Sequence, residues 1–295
     1  MKNPFLSLVV PTLGRVEFLD RFLKSLVSQT CNDFEVIIAD QSKDHSPIAK
    51  LINSYMKNLN IRHLQLSSIG ASIARNAGSL LANGNMVGWP DDDCWYEPET
   101  VENIILELKT NTQYDFFIGL PLNSQNIPIN RWIPRSKSII TNYASLIFCI
   151  EWSFFIKRNV FVESNGFDEN FGPGADSPWQ AGESADLCLR LLIDNKNGLY
   201  SPSIRIHHPM GFEYSSQAII KARRYASGMG AVIYKNNISL CDRFFYLFSY
   251  FRAIIWSLIR FNLNGCILHI NRLIGLISGY FNYRRENNKL LEMKQ

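Results

Sequence analysis

Short apolar runs alternate with longer amphipathic stretches along the first 120 residues of the chain. Residues 6–10, 34–39, 60–66, 85–89 and 114–120 have the length and composition of buried strands. Residues 15–29 carry Phe18, Leu19, Phe22, Leu23 and Leu26 at helical spacing. Residues 46–56 open with Pro47, which suits a first helical turn because its missing N–H would be unpaired there anyway. Residues 70–82 form a helix rich in small side chains. Residues 98–109 form another, with Glu99 and Glu102 near its positive N-terminal end. This β-α-β-α rhythm predicts an α/β fold, a mostly parallel sheet flanked by helices. Ligands in such sheets sit beyond the carboxyl ends of the strands.

The pattern then changes. Residues 121–181 read as irregular, yet Trp132, Tyr143, Trp152, Phe154, Phe171 and Trp179 argue for an ordered segment. Residues 182–194 read as a helix, followed by two short extended stretches that end in His207-His208-Pro209. From 214 onward the chain reads as helices, and residues 243–258 and 266–281 are strongly apolar. Arg252 interrupts the first and Arg272 the second, so neither is a clean span of about 20 apolar residues. The expected division is a sheet domain over 1–212 and a helical extension over 213–295.

Composition adds limits. The chain has 295 residues, 46% hydrophobic and 19% charged, enough for a sizeable core and unlike a disordered chain. The net charge of +4 is mild and the cations are not gathered in one block, so no nucleic-acid partner is expected. Cys31, Cys94, Cys149, Cys188, Cys241 and Cys266 form no CxxC pair, and no secretory signal opens the sequence. Scattered thiols of this kind suggest a cytoplasmic protein.

The sharpest chemical feature is Asp91-Asp92-Asp93, directly after the fourth apolar run. Three adjacent carboxylates repel one another unless a cation neutralises them. Hard divalent ions such as Mg²⁺ or Mn²⁺ take carboxylate oxygens and bridge them to substrate phosphates. A nucleotidyltransferase would need a glycine-rich phosphate loop, and Pro11-Thr12-Leu13-Gly14-Arg15 is not rich enough.

Several segments together resemble family 2 glycosyltransferases of the GT-A fold. They are Ser7-Leu8-Val9-Val10-Pro11-Thr12 with Arg15, Val36 through Asp44, Gly70 through Gly78, Asp91-Asp92-Asp93-Cys94 with Pro98, Gly166-Phe167-Asp168-Glu169, and Gly182 through Leu187. They span roughly residues 6 to 210 in the family's order. The resemblance implies a nucleotide-sugar half at 1–120 and an acceptor half at 121–212. It implies an inverting transfer from a UDP-sugar, with Mn²⁺ or Mg²⁺ as cofactor, to a hydroxyl of a surface polysaccharide or lipid-linked glycan. Pro11, Thr12 and Arg15 would line the nucleotide, Asp40 would contact the base, and Arg75 and Asn76 belong to the family's Arg-Asn helix. Asp91 and Asp92 would lie at the donor, with Asp91 and Asp93 on the metal. His207, more than His208, would be a third ligand.

The transfer needs a base for the acceptor hydroxyl. Glu183 and Asp186 share a helix face and either suits, Asp186 slightly better, although Arg190 four residues on is placed to pair with it. The family's usual adjacent Glu-Asp is Glu183-Ser184 here, which leaves open a non-catalytic nucleotide-sugar or glycan-binding module. Trp132, Trp152 and Trp179 are candidates for stacking on sugars. The apolar C-terminal helices suggest peripheral contact with the inner face of the cytoplasmic membrane, or a homodimer.

Overall fold

The computed structural model describes residues 3–130, 133–142, 147, 149–209 and 215–292. The first half follows the predicted rhythm: β1 (Leu6–Thr12), α1 (Val16–Val27), β2 (Phe34–Asp40), α2 (Ser46–Tyr55), β3 (Ile61–Gln65), α3 (Ala71–Leu80), β4 (Met86–Gly88), α4 (Thr100–Thr110) and β5 (Phe116–Leu122). Next come β6 (Ser138–Ile139), β7 (Phe154–Lys157), α5 (Arg158–Glu163), α6 (Glu183–Ile193) and β8 (Gly198–His207). The strands form one sheet in the order β3-β2-β1-β4-β7-β5-β8-β6. β1 pairs in parallel with β2 and β4, β2 with β3, and β5 with β8. The chain thus has the expected α/β architecture.

Strand periodicity assigns the two faces. Leu6, Leu8 and Val10 of β1 point to one side, where Leu19, Phe22 and Leu26 of α1 and Ile104 of α4 cover them. Val9 points to the other side with Ile37, Val87 and Trp89, against Phe161 and Leu187.

The expectation of irregular structure over 121–181 needs correction. That stretch holds β7, which lies at the centre of the sheet and runs antiparallel to both β4 and β5. Phe154, Phe155 and Ile156 are buried on both faces, so the run has no polar alternation to mark it as a strand. The two extended stretches expected after residue 194 are one strand, β8, whose register slips opposite Gly119 and Leu120.

Three helices complete the chain: α7 (Ser216–Lys235), α8 (Leu240–Ile259) and α9 (Leu263–Glu292). The expected boundary at 212/213 lies outside the described residues. These helices share a core with the sheet region, where Ala226, Val232 and Leu276 pack with Phe171, Trp179, Ala185 and Leu189. α7 and α9 cross at backbone distance. A Cβ on Gly279 would meet the Ser227 carbonyl oxygen at 1.9 Å, and one on Gly275 would meet that of Arg223 at 2.2 Å. Among the described residues, no helix is long and apolar enough to cross a membrane.

Candidate active site

A cavity of about 800 Å³ opens beyond the carboxyl ends of β1 and β4. Pro11, Thr12, Arg15 and the three aspartates line its sheet side. Arg75 enters from α3, Glu183 from the first turn of α6, and His208 from just past β8. Glu151 and Trp152 enter from the turn that precedes β7. Tyr225 of α7, Tyr246 and Tyr250 of α8 and Arg272 of α9 close the far side.

The acidic triplet divides into two environments. Asp92 is 1% exposed and fully engaged: Thr12 Oγ1 donates to it at 2.7 Å, and the Arg15 guanidinium holds both its oxygens. Burial lifts its pKa to about 6 against the pull of Arg15 and Thr12. Asp91 and Asp93 instead face His208, whose Nε2 lies 3.9 Å from Asp91 Oδ2 and 2.9 Å from Asp93 Oδ1. Burial works to raise the Asp93 pKa, but His208 and Arg15 outweigh it and hold it at about 2. The same pairing raises His208, against the burial that would lower it. Trp152 stacks on the His208 ring at 5.2 Å between centroids and fixes its plane.

Behind this trio lies Arg75, a guanidinium only 2% exposed. It donates to Asp91 at 2.9 Å and to Glu183 at 3.0 Å, and stands 3.6 Å from Glu151. Burial opposes its charge, but Glu151, Asp91 and Glu183 more than compensate and raise its pKa. Glu151 is the carboxylate least tied down. Its other contact is the Ser184 hydroxyl at 3.3 Å, a hydroxyl that also faces the Cys149 carbonyl at 3.0 Å. Burial and the charge of Glu183 lift Glu151 to about 7. No pattern in the sequence singles it out, because it sits in a single turn of 3₁₀-helix within the stretch read as irregular.

Several expected site residues lie elsewhere. Asp40 does not line the cavity. It is fully buried, with one oxygen accepting from the backbone N–H and hydroxyl of Ser42 and the other facing His45 at 2.8 Å and His63 at 2.9 Å. It therefore organises the turn after β2. Asn76 makes a reciprocal pair with the Phe167 backbone, donating to its carbonyl and accepting from its N–H, each at 2.9 Å, and so ties α3 to the 166–168 turn. His207 is replaced by His208 as the histidine of the acidic cluster. Successive strand residues face opposite ways, and His207 turns to Trp95, on which it stacks at 5.2 Å, and to Glu97 at 3.1 Å.

Asp186 is also outside the cavity. It is fully buried and neutralised by Arg190 at 2.9 Å, Lys235 at 2.8 Å and Asn236 at 2.9 Å. It joins α6 to α7 and has no access to an acceptor. Trp179 is a core residue against Tyr283, and Trp132 and Tyr143 lie outside the described residues.

A parallel-stranded sheet with an Asp-x-Asp pair and a histidine at its carboxyl edge, under a cavity closed by later elements, defines a GT-A transferase. The family model "Glycosyl transferase family 2" matches residues 7–166, and the chain belongs to that family. A glucosyl-dolichyl phosphate glucuronosyltransferase of Haloferax volcanii is 25% identical over 72% of this chain and 71% of its own length. The uncharacterized glycosyltransferase EpsJ of Bacillus subtilis is 24% identical over 69% of this chain and 66% of its own. Among solved structures, TarS 1-349 of S. aureus superposes with a TM-score of 0.60 at 12% identity, covering 95% of this chain and 91% of that one. The mannosyltransferase PcManGT of Pyrobaculum calidifontis, in complex with GDP-Man and Mn²⁺, gives 0.62 at 13% identity, covering 94% and 88%. Both share the GT-A fold with this chain.

Proposed function

We propose that the cavity transfers a sugar from a nucleoside diphosphate donor, a UDP-sugar, to the hydroxyl of a lipid-linked or polysaccharide glycan, by single displacement with inversion. The observation that carries this reading is the cluster of Asp91, Asp93 and His208, whose ligand atoms lie within 4.8 Å of one another at the cavity floor. The residues fit a divalent ion such as Mn²⁺ or Mg²⁺. The donor set is two carboxylates and an imidazole, and Asp93 Oδ1 is buried without a hydrogen bond of good geometry. Such an ion would disperse the charge that grows on the leaving diphosphate. The PcManGT complex with GDP-Man and Mn²⁺ supports the same cofactor here.

The protein's own groups do the rest. Pro11, Thr12 and Arg15 line the donor end. Arg75, shared among Asp91, Glu151 and Glu183, holds three carboxylates at fixed spacing and keeps their mutual repulsion from opening the site. Glu151 takes the acceptor proton as the hydroxyl oxygen attacks the anomeric carbon, and the glycosidic bond breaks toward the diphosphate. Glu183 is less suited, since Arg75 already neutralises it at hydrogen-bond distance. A carboxylate with acceptor capacity to spare favours an enzyme over a binding module.

The test is direct. Asp91→Asn and Asp93→Asn should each abolish the Mn²⁺-dependent rise in melting temperature with UDP-sugars, and slow release of nucleotide from the donor by about 100-fold or more. Unchanged ion-dependent donor binding in both variants refutes the reading.

The acceptor side favours a membrane. α8 exposes Phe244, Phe248, Phe251, Ile255 and Ile259 along one face, with Arg260 lying over Trp256 at 4.5 Å. Aromatic and aliphatic side chains beside arginines match the boundary between acyl chains and anionic headgroups. We assign this face to the inner surface of the cytoplasmic membrane; a homodimer is the competing occupant.

A further inference from the structure

The far end of the cavity carries cations that no carboxylate of the described residues balances. Arg272 of α9 and Lys221 of α7 both line it. Among the described residues neither makes an ion pair, although Arg75, Arg15 and His208 at the sheet end are all matched to carboxylates. The Lys221 ammonium lies over the Tyr225 ring at 5.2 Å. α7 has no acidic residue at all, and α8 and α9 have only Asp242, Glu286 and Glu292, none of which lines the cavity. Arg272 is half-buried and close enough to His269 to lower its pKa, together with burial. A guanidinium in such a place is costly without a counter-charge, and its flat donor face matches a phosphate.

Two further observations locate this end relative to the chemistry and to lipid. Tyr225 lines the same cavity as Glu151, Glu183 and Asp91 and carries the Lys221 ammonium over its ring, and burial with the charge of those carboxylates pushes its hydroxyl up to about 12. On the other side, Tyr246 and Tyr250 line the same end from α8, the helix whose opposite face is the exposed apolar one. We infer that Lys221 and Arg272 form a subsite for the phosphate of a lipid-linked acceptor, so that the phosphate docks beneath α8 while the sugar reaches Glu151. This rests on the transferase reading and names the acceptor class within it.

Geranyl diphosphate, with geraniol and inorganic pyrophosphate as controls, tests the subsite in titration calorimetry on the full chain with UDP and Mn²⁺ already saturating. Geranyl diphosphate should bind the ternary complex, and Arg272→Gln and Lys221→Gln should each weaken it at least about tenfold. Arg272→Lys should recover part of the loss, and the circular dichroism spectrum and melting temperature of all three variants should match the wild type, which shows that they fold. The inference is overturned if the variants bind geranyl diphosphate as the wild type does, or if geraniol or pyrophosphate binds equally well. It is also overturned if UDP simply displaces the ligand, or if the variants lose only binding to phosphatidylglycerol vesicles. Absence of UDP binding and donor hydrolysis in the wild type would instead sink the transferase reading itself.

Discussion

At the residue scale, two carboxylates that share a helix in the sequence have opposite fates in the fold. Glu183 lines the cavity and pairs with Arg75, Asp186 is locked among Arg190, Lys235 and Asn236, and the proposed base is neither of them but Glu151, 35 residues before Asp186. Glu151→Gln keeps the shape and the Ser184 contact but cannot take a proton, so kcat should fall by about 100- to 10,000-fold with donor affinity retained. The sign of the pH dependence follows from the same group. A base acts when deprotonated, so with its pKa near 7 the wild-type rate should rise as pH passes upward through that value. The variant should lose that rise. Asp186→Asn should do the reverse: about 3–5 kcal/mol of stability lost, read as a lower melting temperature, with turnover per folded molecule preserved. A rate collapse in Asp186→Asn with stability intact would restore the sequence-based choice. The legible residues were those whose chemistry is contiguous. Asp91 and Asp93 announce themselves by adjacency, and Arg75 by its place in a recognisable helix. His208 was not separable from His207, because only the pairing of β8 with its neighbours decides which side chain faces the cavity. Glu151 depends on the chain returning through an irregular stretch, which no periodicity encodes.

At the element scale, the first five strands and the four helices among them were readable because hydrophobic period and length agree there. β7 was not, since three consecutive buried residues look the same in a strand, a buried turn or a helix end. Its central position matters to function: as the strand beginning just after Glu151 and Trp152, it delivers both to the cavity. The C-terminal helices were legible as helices, but their docking was not. It depends on glycines on α7 and α9 whose missing side chains let two backbones touch. Gly279→Ala should therefore force α9 away from the Ser227 carbonyl, costing about 1–3 kcal/mol. Because α9 carries Arg272, the shift should raise KM for acceptor more than for donor. Thermal melts and separate donor and acceptor titrations check both halves of this expectation. An unchanged melting temperature would mean that the helices are not held by this crossing.

At the scale of the whole molecule, the cavity runs from the carboxyl edge of the sheet to the three last helices, and α8 and α9 carry exposed apolar stripes on their outer surfaces. α9 adds a second stripe, exposing Ile267, Ile270, Ile274, Ile277 and Phe281 at spacings of three and four. Such a stripe serves equally as a coiled-coil seam or as a surface for lipid, so helical spacing alone does not choose between them. The proposed lipid contact rests on α8, where five exposed groups, Phe244, Phe245, Phe248, Phe251 and Trp256, are aromatic and Arg260 lies over one of them. A self-associating seam gains little from cations that repel their copies across the two-fold axis, whereas an anionic leaflet gains from each one, by about 1 kcal/mol. The protein should therefore sediment with vesicles containing phosphatidylglycerol and much less with neutral phosphatidylcholine vesicles, and added salt should release it. Replacing Phe248 and Phe251 by Glu should abolish sedimentation while leaving donor hydrolysis unchanged, since neither residue lines the cavity. A dimer in light scattering that these two substitutions split, with no vesicle binding in the wild type, would assign the face to a second copy of the chain instead.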